Sequence, residues 1–434
     1  MKRNRHSAKR SSTRNFNIPK EVIKASYSKS VLANGLTVIS EHIPGVESIA
    51  VGVHINAGSR DDLPGKEGTA HFMEHIAYRH TKTKNSRQIA EGFESVGAFT
   101  NAFTTQEHIC FYVRSLQKHF KKTMRLLADI TLNPIFRNKD IEKERSVIIE
   151  EIKSTLDDPE EVLPEEADKL IFGSHPLGNP ITGHINSVKN IKYEDLLLFH
   201  ENFFVPENIV ITAAGNIEHT KIVDLAEKLF FGLKPGTSNR SKQLPGDIKQ
   251  KDKTIYKNTN QSHLLLGKKI SRFDSDERYC IMLLNTMLGE GMSSRLYQKL
   301  REQKALTYNI YSSLNYYTDC GTLYIYTSSE RENLKYTEKL IFTEFKKLTE
   351  KISAAHLKKA KEQLKSQIIM ELENLSNLMI SLAKDEFMLG ENEDISTIVQ
   401  EINNVSIEKI TKTANKYLNN DNWFKCVILP KDNN

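Results

Sequence analysis

The 434-residue chain is 38% hydrophobic and 27% charged, which fits a globular protein with two or more domains rather than one core. Its formal charge of +6 is concentrated at one end: residues 1–25 hold eight Lys or Arg against one acid, Glu21, a contribution of +7 that leaves about −1 for the remainder. The body lacks the basic footprint of a nucleic-acid binder, and no run approaches the roughly 18 apolar residues of a membrane span.

Residues 1–26 form a basic tail, rich in Arg and Ser and without an apolar segment for secretion. That composition suits a disordered bacterial N-terminus, the preferred reading, or an organelle transit peptide. The four cysteines, Cys110, Cys280, Cys320 and Cys426, are scattered, which implies a reducing compartment, no disulfide framework and no cysteine zinc site. Bacterial cytoplasm is the expected location, with the mitochondrial matrix as the alternative if the tail is a transit peptide.

After the tail, segments 28–33 and 36–42 flank Asn34-Gly35, a strong hairpin signal, and 46–57 alternates like a half-buried strand. Helical periodicity follows at 69–79 and 86–96, the second with Ile89, Ala90, Phe93 and Val96 as a stripe between a Ser cap and Gly97. Strands are expected at 98–104 and 108–114, helices at 116–131, 138–156 and 193–203, a strand at 207–214 and a helix at 217–232. Residues 236–252, nearly free of apolar side chains, read as a linker between a domain at 27–235 and another at 253–434. The second half then repeats the element order: strands at 253–258 and 262–268, helices at 275–288 and 293–303, strands at 308–315 and 321–327, further helices and a last strand at 423–429. The fold class is α+β.

His71-Phe72-Met73-Glu74-His75 falls on a predicted helix, where a separation of four places both imidazoles on one face within reach of one cation. Glu74 projects to the same side, in position to accept a proton rather than to ligate. Taken alone, the pentapeptide fits a surface helix equally well. A catalytic zinc needs a third protein ligand, and helix 138–156 offers Glu144 and Glu151, seven apart beside the apolar stripe of Ile141, Ile148 and Ile152. Carboxylates beside a buried stripe need a partner or a metal; a solvated Glu-rich edge is the plainer alternative.

The run GTAHFMEHIAYRHT resembles the zinc helix of the inverted-motif (H-x-x-E-H) pitrilysin and processing-peptidase family, peptidase family M16, and ERSVIIEE resembles its distal glutamate segment. The resemblance spans about 28–430, leans to the processing-peptidase-like branch, and implies two tandem homologous domains, each a mostly antiparallel sheet packed with helices. In that family the third ligand lies about 76 residues beyond the second histidine, which from His75 is Glu151. The resemblance thus implies one Zn2+ per chain held by His71, His75 and Glu151, Glu74 as general base, and Glu144 as an outer residue orienting the ligands.

In the second half, SSRLYQKLREQKALTY resembles the family's Arg and Tyr pair, here Arg301 and Tyr308, which reach across to bind the scissile carbonyl and its oxyanion. GAFTNAFTTQEH resembles the edge strand to which an extended peptide adds by main-chain pairing, with Phe99, Asn101 and Ala102 as substrate contacts. Two positions depart from the pattern: His80 and Ala305 stand where the family tends to have Gly. Gly289-Glu290-Gly291 is too short to be the glycine-rich loop of the noncatalytic subunit.

The implied activity is a zinc-dependent endopeptidase acting on short or unfolded peptides, such as oligopeptides or presequences. Members enclose substrate between two halves of two domains each, so a chain of this length implies a homodimer or a heterodimer with a related chain. The alternative is a noncatalytic structural or partner subunit of such a complex. The remaining histidines, including His42, His54, His108, His119 and His263, show no ligand spacing and are expected to be surface or satisfied core residues.

Overall fold

The computed structural model describes residues 26–236, 240, 251–419 and 421–431. Residues 1–25 of the basic tail and 13 of the 17 residues of the expected linker lie outside them.

Strands β1 (Ser26–Val31), β2 (Thr37–His42), β3 (Ser48–Ile55), β4 (Phe99–Thr104), β5 (Ile109–Leu116) and β6 (Ile209–Gly215) form one sheet, in the order β1-β2-β6-β3-β5-β4. All neighbours are antiparallel except β2 and β6. The β1–β2 hairpin turns at Asn34-Gly35, where φ of +93° at Gly35 is the left-handed conformation that favours glycine. Helices α1 (Thr69–Ala77), α2 (Ser86–Glu94), α3 (Phe120–Leu132), α4 (Asn138–Asp157), α5 (Pro159–Phe172), α6 (Ile185–Asn190), α7 (Tyr193–Phe203) and α8 (His219–Phe230) complete the first half.

The second sheet contains β7 (Asp252–Lys257), β8 (Ser262–Ile270), β9 (Ile310–Tyr316), β10 (Gly321–Ser329) and β11 (Phe424–Pro430), ordered β7-β11-β8-β10-β9. Adding five to each label turns β2-β6-β3-β5-β4 into this order, and the parallel pair β2–β6 becomes the parallel pair β7–β11. The repeat of element order is thus a repeat of topology. Its helices are α9 (Arg278–Leu288), α10 (Leu334–Glu350), α11 (Ala354–Leu372), α12 (Leu375–Leu389), α13 (Ile395–Asn404) and α14 (Ile407–Tyr417).

Two stretches differ from expectation. The stretch between 157 and 192, unassigned from sequence, holds α5 and α6. Asp158 caps α5 by accepting from the Glu160 N–H, Pro159 occupies its first turn, and Pro164 inside the helix masks the helical signal. Residues 297–303 form a π-helical turn rather than part of a regular α-helix.

The halves exchange helices. From the first, α5 lays Val162, Leu163, Leu170 and Ile171 against Leu265, Tyr324, Phe424 and Ile428 of the second sheet. From the second, α12 lays Leu375, Leu378 and Met379 against Ala50 and Ala214 of the first. Strand β3 is consequently covered on both faces: Ile49, Val51, Val53 and Ile55 join the core under α1 and α3, while Ala50 meets α12. A buried charge cluster fastens the same junction, with Arg60 bound to Glu107 at 2.6 Å and to Asp319, and Glu107 accepting from the Thr318 N–H at 2.8 Å. Desolvating such charges costs several kcal/mol each, which their pairing with one another offsets.

Candidate metal centre

Helix α1 is held at its start by a carboxylate from outside it. Asp62 accepts from the Gly68 and Ala70 N–H groups at 2.7 and 2.9 Å. Gly68 itself has φ of +97°, and a Cβ there would sit 2.5 Å from the Thr182 carbonyl oxygen, so this entry admits only glycine. Thr69, Ala70, Phe72, Met73 and Ile76 are buried, which fixes the rotation of the helix and aims His71 and His75 at α4.

The expected ligand atoms converge. His71 Nε2 lies 3.7 Å from Glu151 Oε1, and His75 Nε2 lies 3.6 Å from Glu151 Oε2. One donor atom from each of the three falls within 4.8 Å of the others. These gaps are too long for hydrogen bonds. They are close to the spacing of two donors that each stand about 2.0–2.2 Å from a tetrahedral zinc, so the residues fit the ion.

Glu144 is not a second ligand candidate in this arrangement. Its side chain is 2% exposed, ion-paired with Arg79, and 3.4 Å from Nδ1 of His75. A carboxylate on the far nitrogen leaves Nε2 of His75 to face Glu151. Burial alone would raise the Glu144 pKa, but hydrogen bonds and charge from His75 and Arg79 lower it, keeping it ionised. Burial likewise acts to lower His75, yet Glu144, Glu151 and Glu74 together raise it. His71, beside His75 and deeply buried, is pushed down to about 3 and is a neutral imidazole at neutral pH.

Glu74 accepts a hydrogen bond from Thr104 Oγ1 at 2.6 Å and is raised above the ordinary carboxylate value, mainly by burial. Thr104 ends β4, the outermost strand of its sheet, so Glu74 and that strand are joined directly. Tyr78, at the end of α1, braces the same strand through its hydroxyl to Thr100 Oγ1 and the Asn101 carbonyl. Phe99 is 58% exposed, Asn101 is exposed and Ala102 is half-buried. The Ala102 N–H donates to the side chain of Asn101 at 2.9 Å rather than to a neighbouring strand.

Arg301 and Tyr308 form a pair in the second half. Among the described residues, their hydrogen bond and ring contacts are with each other and with Tyr297, not with α1 or α4. Ala305 between them takes φ of +50°, the conformation for which glycine is suited, while His80 does not adopt a positive φ and packs 2.8 Å from Asp140.

The sequence missed three partners. Arg79 continues the four-residue spacing of His71 and His75 by one more turn, a signal that was available. Thr104 and Tyr78 carry no such signal. The sequence also separated His54 from His108, whereas the structure brings Nδ1 of the first within 2.9 Å of Nε2 of the second.

Residues 37–184 match the family described as insulinase (peptidase family M16), and residues 190–364 match the peptidase M16 inactive domain. The chain is 33% identical to the "Uncharacterized zinc protease YmxG" of Bacillus subtilis, over 92% of this chain and 97% of that one. It is 35% identical to an "Uncharacterized zinc protease" of Rickettsia felis, over 91% and 95%. Its fold is shared with a protease from Helicobacter pylori at a TM-score of 0.85 and 22% identity, covering 94% of this chain and 100% of that one. It is shared too with a peptidase M16 inactive domain from Pseudomonas fluorescens at 0.87 and 20%, covering 93% and 98%. Matched by this family's models over residues 37–184 and 190–364, the chain belongs to peptidase family M16.

Proposed function

We propose that the protein is a zinc-dependent endopeptidase for short or unfolded peptides, with one Zn2+ at His71, His75 and Glu151. The observation that carries this reading is the convergence of two imidazoles and a carboxylate at non-bonding distance beside a half-buried glutamate linked to an outermost strand. The relatives named as zinc proteases support it.

When bound, the zinc supplies Lewis acidity, polarising a carbonyl and making water more acidic. The chain does the rest. An extended peptide adds to the free edge of β4, contacting Phe99, Asn101 and Ala102, and so brings its scissile bond beside Glu74. Glu74, with basicity increased by burial, takes a proton from the attacking water and returns it to the leaving amine. Thr104 fixes the carboxylate, and Glu144 with Arg79 fixes His75.

Arg301 and Tyr308 stabilise the oxyanion. Among the described residues their hydrogen bond and ring contacts reach nothing of α1 or α4, which supports their acting from a second chain across a shared chamber, either a copy of this one or a related partner. Residues 27–235 and 253–434 serve as the two tandem domains of one half. The bacterial relatives favour the bacterial cytoplasm over the mitochondrial matrix; among the described residues no helix is long and apolar enough to cross a membrane.

Cleavage of a quenched fluorescent peptide library by the purified protein, with and without a chelator, tests this. Chelator-sensitive cleavage is expected. No cleavage by protein carrying bound zinc would favour the noncatalytic-subunit alternative.

A further inference from the structure

On the opposite face of the first sheet from α1, His54 of β3 and Cys110 of β5 stand directly across from each other in the antiparallel register. His54 and Cys110 are fully buried, and His108, just before β5, is half-buried beside them. His54 Nδ1 is 2.9 Å from His108 Nε2, and one donor atom from each of the three residues lies within 4.8 Å of the others.

The tautomer of His54 follows from its other nitrogen. Thr212 Oγ1 donates to the Met379 carbonyl at 2.8 Å, so at 2.7 Å it accepts from the Nε2–H of His54. Nδ1 of His54 is therefore a lone pair aimed at His108. A buried imidazole whose far N–H is anchored through a hydroxyl to a backbone carbonyl, and whose near nitrogen faces other donors, has the support that orients metal-ligating histidines. The seat is closely built: a Cβ at Gly52 would lie 2.4 Å from both His54 Nε2 and Met379 Sδ.

We propose that His54 Nδ1, His108 Nε2 and Cys110 Sγ form a second metal site, separate from the α1–α4 centre, for a borderline-soft divalent ion such as Zn2+. Two imidazoles and a thiolate are a donor set suited to that ion. The site lies where α12 of the second half covers the first sheet, with Met379 against His54 and Phe387 against the His108 ring, so an ion there ties that junction. Burial keeps both imidazoles neutral, His108 being pushed down to about 3 with help from the Arg240 charge. Burial also raises the Cys110 thiol, so the ion must displace its proton. In the metal-free protein His108 Nε2–H donates to His54; on binding that proton moves to His108 Nδ1, and the one proton released comes from Cys110.

The test titrates reduced, metal-free full-length protein with Co2+. The α1–α4 centre has no sulfur ligand, so thiolate-to-cobalt charge-transfer absorption reports the second site alone, whatever the outcome for peptidase activity. The expected result is a charge-transfer band that persists in the His71→Ala/His75→Ala double variant and in Cys280→Ser, Cys320→Ser and Cys426→Ser, and disappears in Cys110→Ser. The half-buried His108→Gln should lose it as well, which covers the case in which Cys110→Ser does not fold. A wild-type protein saturated with Co2+ that shows no such band, or a band that survives both Cys110→Ser and His108→Gln, overturns the proposal.

Discussion

Arg301 donates from Nη1 to the backbone carbonyl of Tyr308 at 2.7 Å, and its guanidinium lies 4.6 Å from the centre of the Tyr308 ring. The pair is held as a unit, yet Tyr308 is 76% exposed. A phenol presented in this way lies outside its own core.

If the partner is a second copy, the active site is composite and two inactive chains should repair each other. Glu74→Gln has a defective base but an intact Tyr308; Tyr308→Phe has the converse. Mixed dimers contain one complete site, so an equal mixture should recover roughly a quarter of wild-type activity with random exchange between two-fold dimers. Peptide turnover in the mixture measures this. No gain above the separate variants would place the pair in its own chain's site or require a different partner.

Replacing Glu144 with Gln removes the charge that orients His75 and pairs with Arg79. Zinc affinity should fall by about 10–100-fold, the usual effect of losing a supporting carboxylate, while the three ligands stay in place. Competition with a chelator of known affinity gives the change. Unaltered affinity would show that Glu144 serves only the fold.

Ala305 with φ of +50° carries strain of about 1 kcal/mol that glycine would not. Ala305→Gly should therefore stabilise the protein, by a net amount below about 1 kcal/mol once the greater freedom of the unfolded glycine is included. Urea unfolding reports it. A destabilised variant would mean that the alanine methyl makes a compensating contact.

Asp168 sits in the apolar contact between α5 and the second sheet, where it accepts a hydrogen bond from the Tyr324 hydroxyl. Burial raises its pKa from 3.8 to about 7. Between those values the folded state holds a proton that the unfolded state has released, so this group's contribution to stability declines as pH rises from about 4 to about 7. In metal-free protein, Asp168→Asn should flatten that decline and raise Tm at pH 8 by on the order of a few degrees. Thermal unfolding of both proteins across the range checks the sign; an unchanged slope would place the proton elsewhere.

Local pattern made much of this molecule readable. The Asn34-Gly35 turn, the alternating strands and the amphipathic helices follow from period and turn chemistry, and the expected ligand set rests on two segments resembling a known family. Elements defined by distant contacts were hidden. Helix α5 carries Pro159 and Pro164, and its apolar face is explained only by Leu265 and Tyr324 of the other half. The bond from Arg60 to Asp319 spans 259 positions, and no spacing rule reaches that far. His54 and His108 were set aside for the same reason, since 54 positions separate two rings that a strand pairing brings together.

In the proposed site Glu74 moves protons while His71, His75 and Glu151 hold the ion. Measuring bound zinc and peptide turnover together in Glu74→Gln, with Glu151→Ala beside it, separates these roles. The account predicts that Glu74→Gln keeps the zinc of the α1–α4 centre and loses turnover by about 10²–10⁴-fold, the usual contribution of a general base, whereas Glu151→Ala loses both. Full zinc retention at that centre in Glu151→Ala, or near-normal turnover in Glu74→Gln, would contradict it.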